Sequence, residues 1–154
     1  ALALIVYGIA FIYIERAHKN VEPKINDFKE LDFMTAIKIG LFQCLALVPG
    51  TSRSGSTILG GLLVGTSRSI ATEFSFFMGI PIMFGASGLK LLKFGFHYSL
   101  AEFVILLVGS AVSFVVSLFV IKFLLKYIKH HDFQAFGWYR IALGIIVIGS
   151  LFFK

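Results

Sequence analysis

From Phe103 to Ile121 no side chain carries a charge, and the apolar run around it extends over Leu100–Leu125. A helix needs about 20 such residues to cross the hydrocarbon core of a bilayer. In that core every backbone N–H and C=O must be paired within the segment or in a closed barrel, so one unbroken run of this length folds as a helix. The rest of the chain agrees with a lipid solvent. Its 154 residues are 58% hydrophobic and 14% charged, where soluble domains average roughly 45–50% and about 25%. A chain this short cannot bury so much apolar surface in an aqueous core.

Charge and proline divide the remainder. Residues 1–14 are apolar, end at Glu15-Arg16 and read as a partial span. The stretch Glu15–Asp32 is the most polar, contains Pro23 and reads as an extramembrane loop, with Asp32 placed to cap the next helix. Phe33–Val48 has helical character until Pro49-Gly50 stops it, and Ile58–Val64 resumes it. Neither arm can span alone, so 33–64 reads as a re-entrant helix-loop-helix. A single kinked span competes, but it would thread Arg53 and the five hydroxyl residues of Thr51–Thr57 through hydrocarbon. Further spans are expected at 69–92 (with Pro81), at 100–125, and at 133–153, where Trp138 and Tyr139 stand as interfacial anchors. The expected fold is all-α: a polytopic transmembrane helical protein, with 1–154 forming one membrane domain. The chain opens inside an apolar helix without Met or a basic n-region, so a fragment of a longer protein is expected.

The formal charge of +6 does not indicate nucleic acid, because Lys and Arg lie between apolar segments rather than along one face. They set orientation instead. With 33–64 entering and leaving on one side, Arg16, Lys19, Lys24, Lys29, Arg68, Lys126 and Lys129 share the cytoplasmic face, and Lys90, Lys93 and Lys154 the other. Cys44 is the single cysteine and says nothing of redox compartment.

The chemistry concentrates in Pro49–Thr57. Gly50 and Gly55 permit a tight turn and close approach of a ligand. A helix restarting near Ser54–Ser56 would present unpaired N–H groups and the positive end of its dipole. Arg53 adds a planar fork of donors suited to phosphate oxygens, and Ser52, Ser54, Ser56 and Thr57 add hydroxyls. The pattern points to an anion, though to neither phosphate nor catalysis in particular. A Ser/Gly-rich helix contact with Arg53 snorkelling is the structural alternative. There is no Gly-x-x-x-x-Gly-Lys-Ser/Thr loop and no Cys-x5-Arg loop, and Leu59 stands where acid-phosphatase-type lipid phosphatases carry His.

Elsewhere, Glu73 is open to two readings: an intramembrane functional carboxylate, or a first-turn acid favoured by the helix dipole. Gln43 reads as a polar contact between helices. In the second Thr-Ser-Arg-Ser, at Thr66–Ser69, Ser67 or Ser69 would cap a helix and Arg68 anchor at the interface. Arg140 reads as another interfacial anchor. His130-His131 read as a solvated basic helix end rather than a metal site, and His18 and His97 as loop residues. No metal ligands are assigned.

The run Phe42–Thr57 resembles the undecaprenyl-diphosphate phosphatase (bacitracin-resistance protein) family, whose Pro-Gly-x-Ser-Arg-Ser-x-x-Thr matches Pro49–Thr57 at every specified position. Ser69–Pro81, with Ala71-Thr72-Glu73-Phe74-Ser75-Phe76-Phe77, and the order of spans are similar too. The resemblance implies two inverted repeats, each a re-entrant hairpin with three spans, of which this chain holds the last span of the first and all of the second. It implies hydrolysis of undecaprenyl diphosphate to the monophosphate in the inner membrane, recycling the cell-wall lipid carrier and giving bacitracin resistance. The site would open to the periplasmic side and be supported by Mg²⁺ or Ca²⁺. Arg53, Ser52 and Thr57 would be catalytic; Gly50, Ser54, Gly55 and Ser56 would bind phosphate; Glu73 is a further candidate. The family's Glu/Gln-x-x-x-Glu motif, with its nearby Ser and His, is absent here, so the N-terminal half is an expected partner and this chain alone is expected to be inactive. A second copy of the chain is a further candidate partner. The rival function is a transporter or flippase for a phosphorylated lipid, since broken helices in inverted repeats are transporter architecture.

Overall fold

The computed structural model describes residues 1–18, 21–95 and 99–152, with side chains as far as Ser150. The expectations for Lys19, His97, Lys154 and the end of the last span at Phe153 lie outside the described residues. Six α-helices follow one another: α1 (Leu2–Ala17), α2 (Phe33–Cys44), α3 (Arg53–Val64), α4 (Arg68–Phe94), α5 (Leu100–Ile128) and α6 (Gln134–Phe152). Short 3₁₀ turns at Phe28–Glu30 and Leu45–Leu47 precede and follow α2.

Side chains fix the helix starts. Asp32 accepts from Thr35 N–H at 2.9 Å, as expected. Of the two serines offered for α4, Ser67 is the cap, accepting from Ile70 N–H at 3.4 Å. Ser99 and Glu102 form a reciprocal capping box at α5. The α3–α4 connection turns through Gly65 at φ 95°, a left-handed conformation that glycine adopts freely. The polar loop docks there: Lys24 and Ile25 N–H both donate to Gly65 C=O, and Ser67 N–H donates to Ile25 C=O.

The innermost helix is α3, in which Gly55–Leu62 are all buried. It packs against α1, α2 and α4. Phe11 and Ile14 from α1, Ile58, Leu59 and Leu62 from α3, and Ala71 from α4 form the core, closed at one end by Ile128 and Phe133. Close glycine crossings hold the layers together: a Cβ at Gly60 would lie 2.6 Å from the Phe42 ring, and one at Gly137 would lie 2.8 Å from Gly8 C=O. The inverse holds for α5, whose most apolar window has none of its residues buried. Together with α4 it is long and apolar enough to cross a membrane, and lipid accommodates such a surface where water would not.

One sequence expectation changes, and one gains a partner. Glu15 does not open the loop but lies in the last turn of α1, only 3% exposed. Arg68 has a partner the sequence reading did not name: its guanidinium grips Glu15 through Nε, at 3.0 Å from both oxygens, and through Nη2. Glu15 Oε1 also accepts Phe133 N–H at 3.1 Å. A buried carboxylate needs such partners, and this one draws α1, α4 and the entry to α6 together.

Candidate functional site

The chain reverses between α2 and α3 at Val48–Thr51. Thr51 N–H donates to Val48 C=O at 3.1 Å, with Pro49 and Gly50 (φ 87°) between them. Proline supplies the fixed φ at the first central position of such a turn, and glycine the positive φ at the second. Ser52 then caps α3, its Oγ accepting from Gly55 N–H at 3.1 Å and lying 3.2 Å from Ser54 Oγ. Among the described residues the N–H groups of Arg53 and Ser54 have no acceptor, as the first turn of a helix dictates.

Arg53 leaves the first turn of α3 toward α4. Its Nη1 donates to Ser75 C=O at 3.3 Å, and its guanidinium lies flat against Gly79, where a Cβ would stand 2.6 Å from Nη2. The remaining donors face a cavity of about 810 Å³ between α4 and α5, lined also by Ser54, Glu73, Phe76 and Gly79. Ser117 is the one hydroxyl on its α5 side, and the rest of that lining is apolar: Phe77, Ile80, Met83, Val116, Val120, Ile121 and Leu125.

Ser56 and Thr57 sit behind this surface. Both are buried, at 1% and 0% exposure. Ser56 Oγ donates to Tyr7 Oη or Ser52 C=O, each at 3.0 Å. Thr57 Oγ1 is engaged with the carbonyls of Arg53 and Ser54 and with Ser75 Oγ. The structure therefore brings Ser52, Arg53, Ser54 and Glu73 to cavity walls, and sets Ser56 and Thr57 beneath the first turn. Gly50 is exposed in the turn, and Gly55 is buried beside Ser52.

Arg140 departs from its expected place. Its guanidinium lies over the Tyr7 ring, 5.6 Å from the centroid, and Nη1 would be 3.0 Å from a Cβ at Gly55. Gly137, Ile141 and Gly144 share one side of α6 and press on Gly8 and Ile5 of α1. Arg140 sits beside that seam, so it points inward. It shares a second cavity, of about 270 Å³, with Ser52, Ser54, Gly55, Ser75 and Phe76. The signal for both missed contacts was small-residue spacing: Ala71, Ser75 and Gly79 recur every four residues on α4, and Arg140 is three residues beyond Gly137. Among the described residues the Gln43 amide oxygen is buried without a hydrogen-bond partner. His130 and His131 are exposed at the end of α5, where the His131 ring stacks on Tyr127.

These features define an all-helical membrane protein whose innermost helix starts in a serine-capped, arginine-bearing turn. The family model of the bacitracin resistance protein BacA matches residues 1–146, and the chain belongs to that family. It is 57% identical, over its whole length, to an undecaprenyl-diphosphatase of Enterococcus faecalis, covering 57% of that protein. It is 60% identical to undecaprenyl-diphosphatase 1 of Clostridioides difficile, with 99% of the chain and 55% of the relative aligned. An undecaprenyl-diphosphatase of Streptococcus mutans is also 60% identical, with 96% of the chain and 54% of the relative aligned. The chain spans about half the length of the curated relatives it matches.

Proposed function

We propose that the full-length protein containing this chain hydrolyses undecaprenyl diphosphate to undecaprenyl phosphate and orthophosphate, and that this chain supplies the diphosphate-binding part of the site. The observation that carries the reading is Arg53. It is held by Ser75 C=O and Gly79 at the positive end of α3, and it lines, with Ser54 and Glu73, a cavity whose other walls are mostly apolar. A charged head and a prenyl tail ask for that combination. Phosphoryl transfer depends mainly on positioning and charge stabilisation, which a guanidinium fork beside free helix N–H groups provides.

In this reading Arg53 clamps the diphosphate, while Ser52 and Ser54 donate to its oxygens and hold the turn. Gly50 and Gly55 keep the backbone open to approach. Ser56 and Thr57 keep the first turn of α3 in place from below. Glu73, on the wall of the Arg53 cavity, can orient Arg53 or take up the proton that the attacking water loses as it bonds to phosphorus.

The membrane arrangement is part of the same proposal. Each of the 12-residue helices α2 and α3 rises only about 18 Å, against roughly 30 Å of hydrocarbon. A re-entrant hairpin within a second inverted repeat explains them, its turn facing the periplasmic side. The preceding half would supply the Glu-x-x-x-Glu motif, the serine and the histidine. A supporting divalent cation would be held from there too. Among the described residues no three His, Cys, Asp or Glu side chains come together, so they do not by themselves make such a site.

The test is orthophosphate release from undecaprenyl diphosphate by the full-length protein in detergent with Mg²⁺. We expect one orthophosphate per lipid, with the monophosphate as the second product. Lipid binding without release would overturn hydrolysis in favour of transport.

Gly79→Ala probes the geometry without touching a polar group. The atom it meets is the free end of Arg53, so α4 remains intact while the guanidinium must shift. A misplacement of about 1 Å costs up to about 10²-fold in rate. We expect release to fall about 10- to 100-fold at an unchanged thermal midpoint. An unaltered rate would show that the position of Arg53 against α4 does not matter.

A further inference from the structure

We propose that Arg140 is the second cationic arm of the site, holding the phosphate of the diphosphate that Arg53 does not reach. The proposal rests on the reading of the substrate as a polyprenyl diphosphate. Arg140 lies on α6, beside its glycine seam with α1, and its Nη1 comes up to Gly55 in the first turn of α3. Arg53 leaves the same turn on the α4 side. Ser54 lies on the walls of both cavities, one holding Arg53 and the other Arg140. Two guanidinium forks thus address one helix start from different sides.

Among the described residues Arg140 also pairs with no carboxylate. The ion pair found among the described residues is Arg68–Glu15, at the far end of α1 from Tyr7. Among the described residues Arg140 Nε is buried with no hydrogen-bond partner, and the Tyr7 face is the π-system set against its charge. A cation inside a membrane protein is costly unless something negative meets it, and its cavity opens onto the hydroxyls of Ser52 and Ser54. The Tyr7 ring is itself held through its hydroxyl by Ser56, so the guanidinium rests on a fixed platform. A diphosphate brings two phosphates and matches two forks, whereas a monophosphate fills one.

The experiment measures binding of farnesyl diphosphate and farnesyl monophosphate to the full-length protein in detergent, by displacement of radiolabelled farnesyl diphosphate. Arg140→Gln should weaken the diphosphate by about tenfold or more and the monophosphate by less than about threefold. Arg140→Lys keeps the charge without the fork and should weaken the diphosphate alone, by about three- to tenfold. It carries the test if the glutamine variant loses the parent's thermal midpoint. Equal weakening of both ligands would overturn the proposal, because it would mean that Arg140 serves the fold or pairs with a carboxylate outside this chain. Unchanged binding, or a parent with no preference for the diphosphate, would overturn it as well. Orthophosphate release by the parent is read in parallel. A parent that binds the diphosphate preferentially yet releases nothing overturns hydrolysis and leaves the assignment of Arg140 standing.

Discussion

Full-length protein carrying Arg53→Ala should release phosphate from undecaprenyl diphosphate about 10³-fold more slowly than the parent, while its thermal midpoint moves by no more than about 3 °C. Both halves of that expectation come from the geometry. Among the described residues the Arg53 guanidinium makes one hydrogen bond, to Ser75 C=O, and otherwise packs on Gly79. That carbonyl lies within α4 and keeps its helical partner when the side chain is cut back. Removing a charge that has no ion pair among the described residues relieves a desolvation cost rather than creating one. The rate responds differently, because charge accumulates on phosphate oxygens in the transition state and the fork is the nearest compensating group in the Ser54–Glu73 cavity. Arg53→Lys restores charge without bidentate geometry and should recover only about tenfold of the loss. Orthophosphate assays at saturating and limiting lipid, beside a thermal melt, decide the matter. Equal rates in parent and alanine variant would remove Arg53 from the site. A collapse of the melt would make its role structural.

Much of this arrangement is legible in the sequence, for local reasons. Pro49-Gly50 is a turn written in two residues, and Ser52, Asp32 and Ser67 are caps because a short hydroxyl or carboxylate beside the first turn has few other uses. The uncharged run around α5 specifies a helix by itself. The side-chain network was harder to see. Hydropathy marks Thr57 and Ser56 as polar, hence as candidates for the ligand. It does not reveal that Ser75 and Tyr7 lie across from them and occupy their hydroxyls. Arg140 and Arg68 beside aromatic residues or at a span's start look like interfacial anchors. Which side of the helix faces the protein is set by glycines three or four residues away, at Gly137 and Gly144 for one, and by a carboxylate more than fifty residues away for the other. Lys and Arg read by their distance from a span's end are thus misread when a small-residue seam turns them inward.

That distant carboxylate yields the second large effect, on stability. Arg68→Met should cost the full-length protein about 3 kcal/mol in a reversible denaturation measured in mixed micelles, whereas Glu15→Leu should cost about 1–2 kcal/mol. The asymmetry follows from burial. Glu15 is 3% exposed, so losing Arg68 strands a carboxylate whose other partner is a single N–H, that of Phe133. Breaking one side of a buried pair costs about 3–5 kcal/mol, and the lower end applies because the Arg68 side chain is 38% exposed and water can reach the gap. Losing Glu15 instead frees an arginine that can turn to solvent and orphans the Phe133 N–H, a smaller penalty. The double variant removes both charges and should be more stable than Arg68→Met alone, recovering on the order of 1 kcal/mol. Strict additivity of the two single losses would show that the contact carries no coupling. A larger loss from Glu15→Leu than from Arg68→Met would make the Phe133 N–H, rather than the arginine, the partner that fixes α1 against α6.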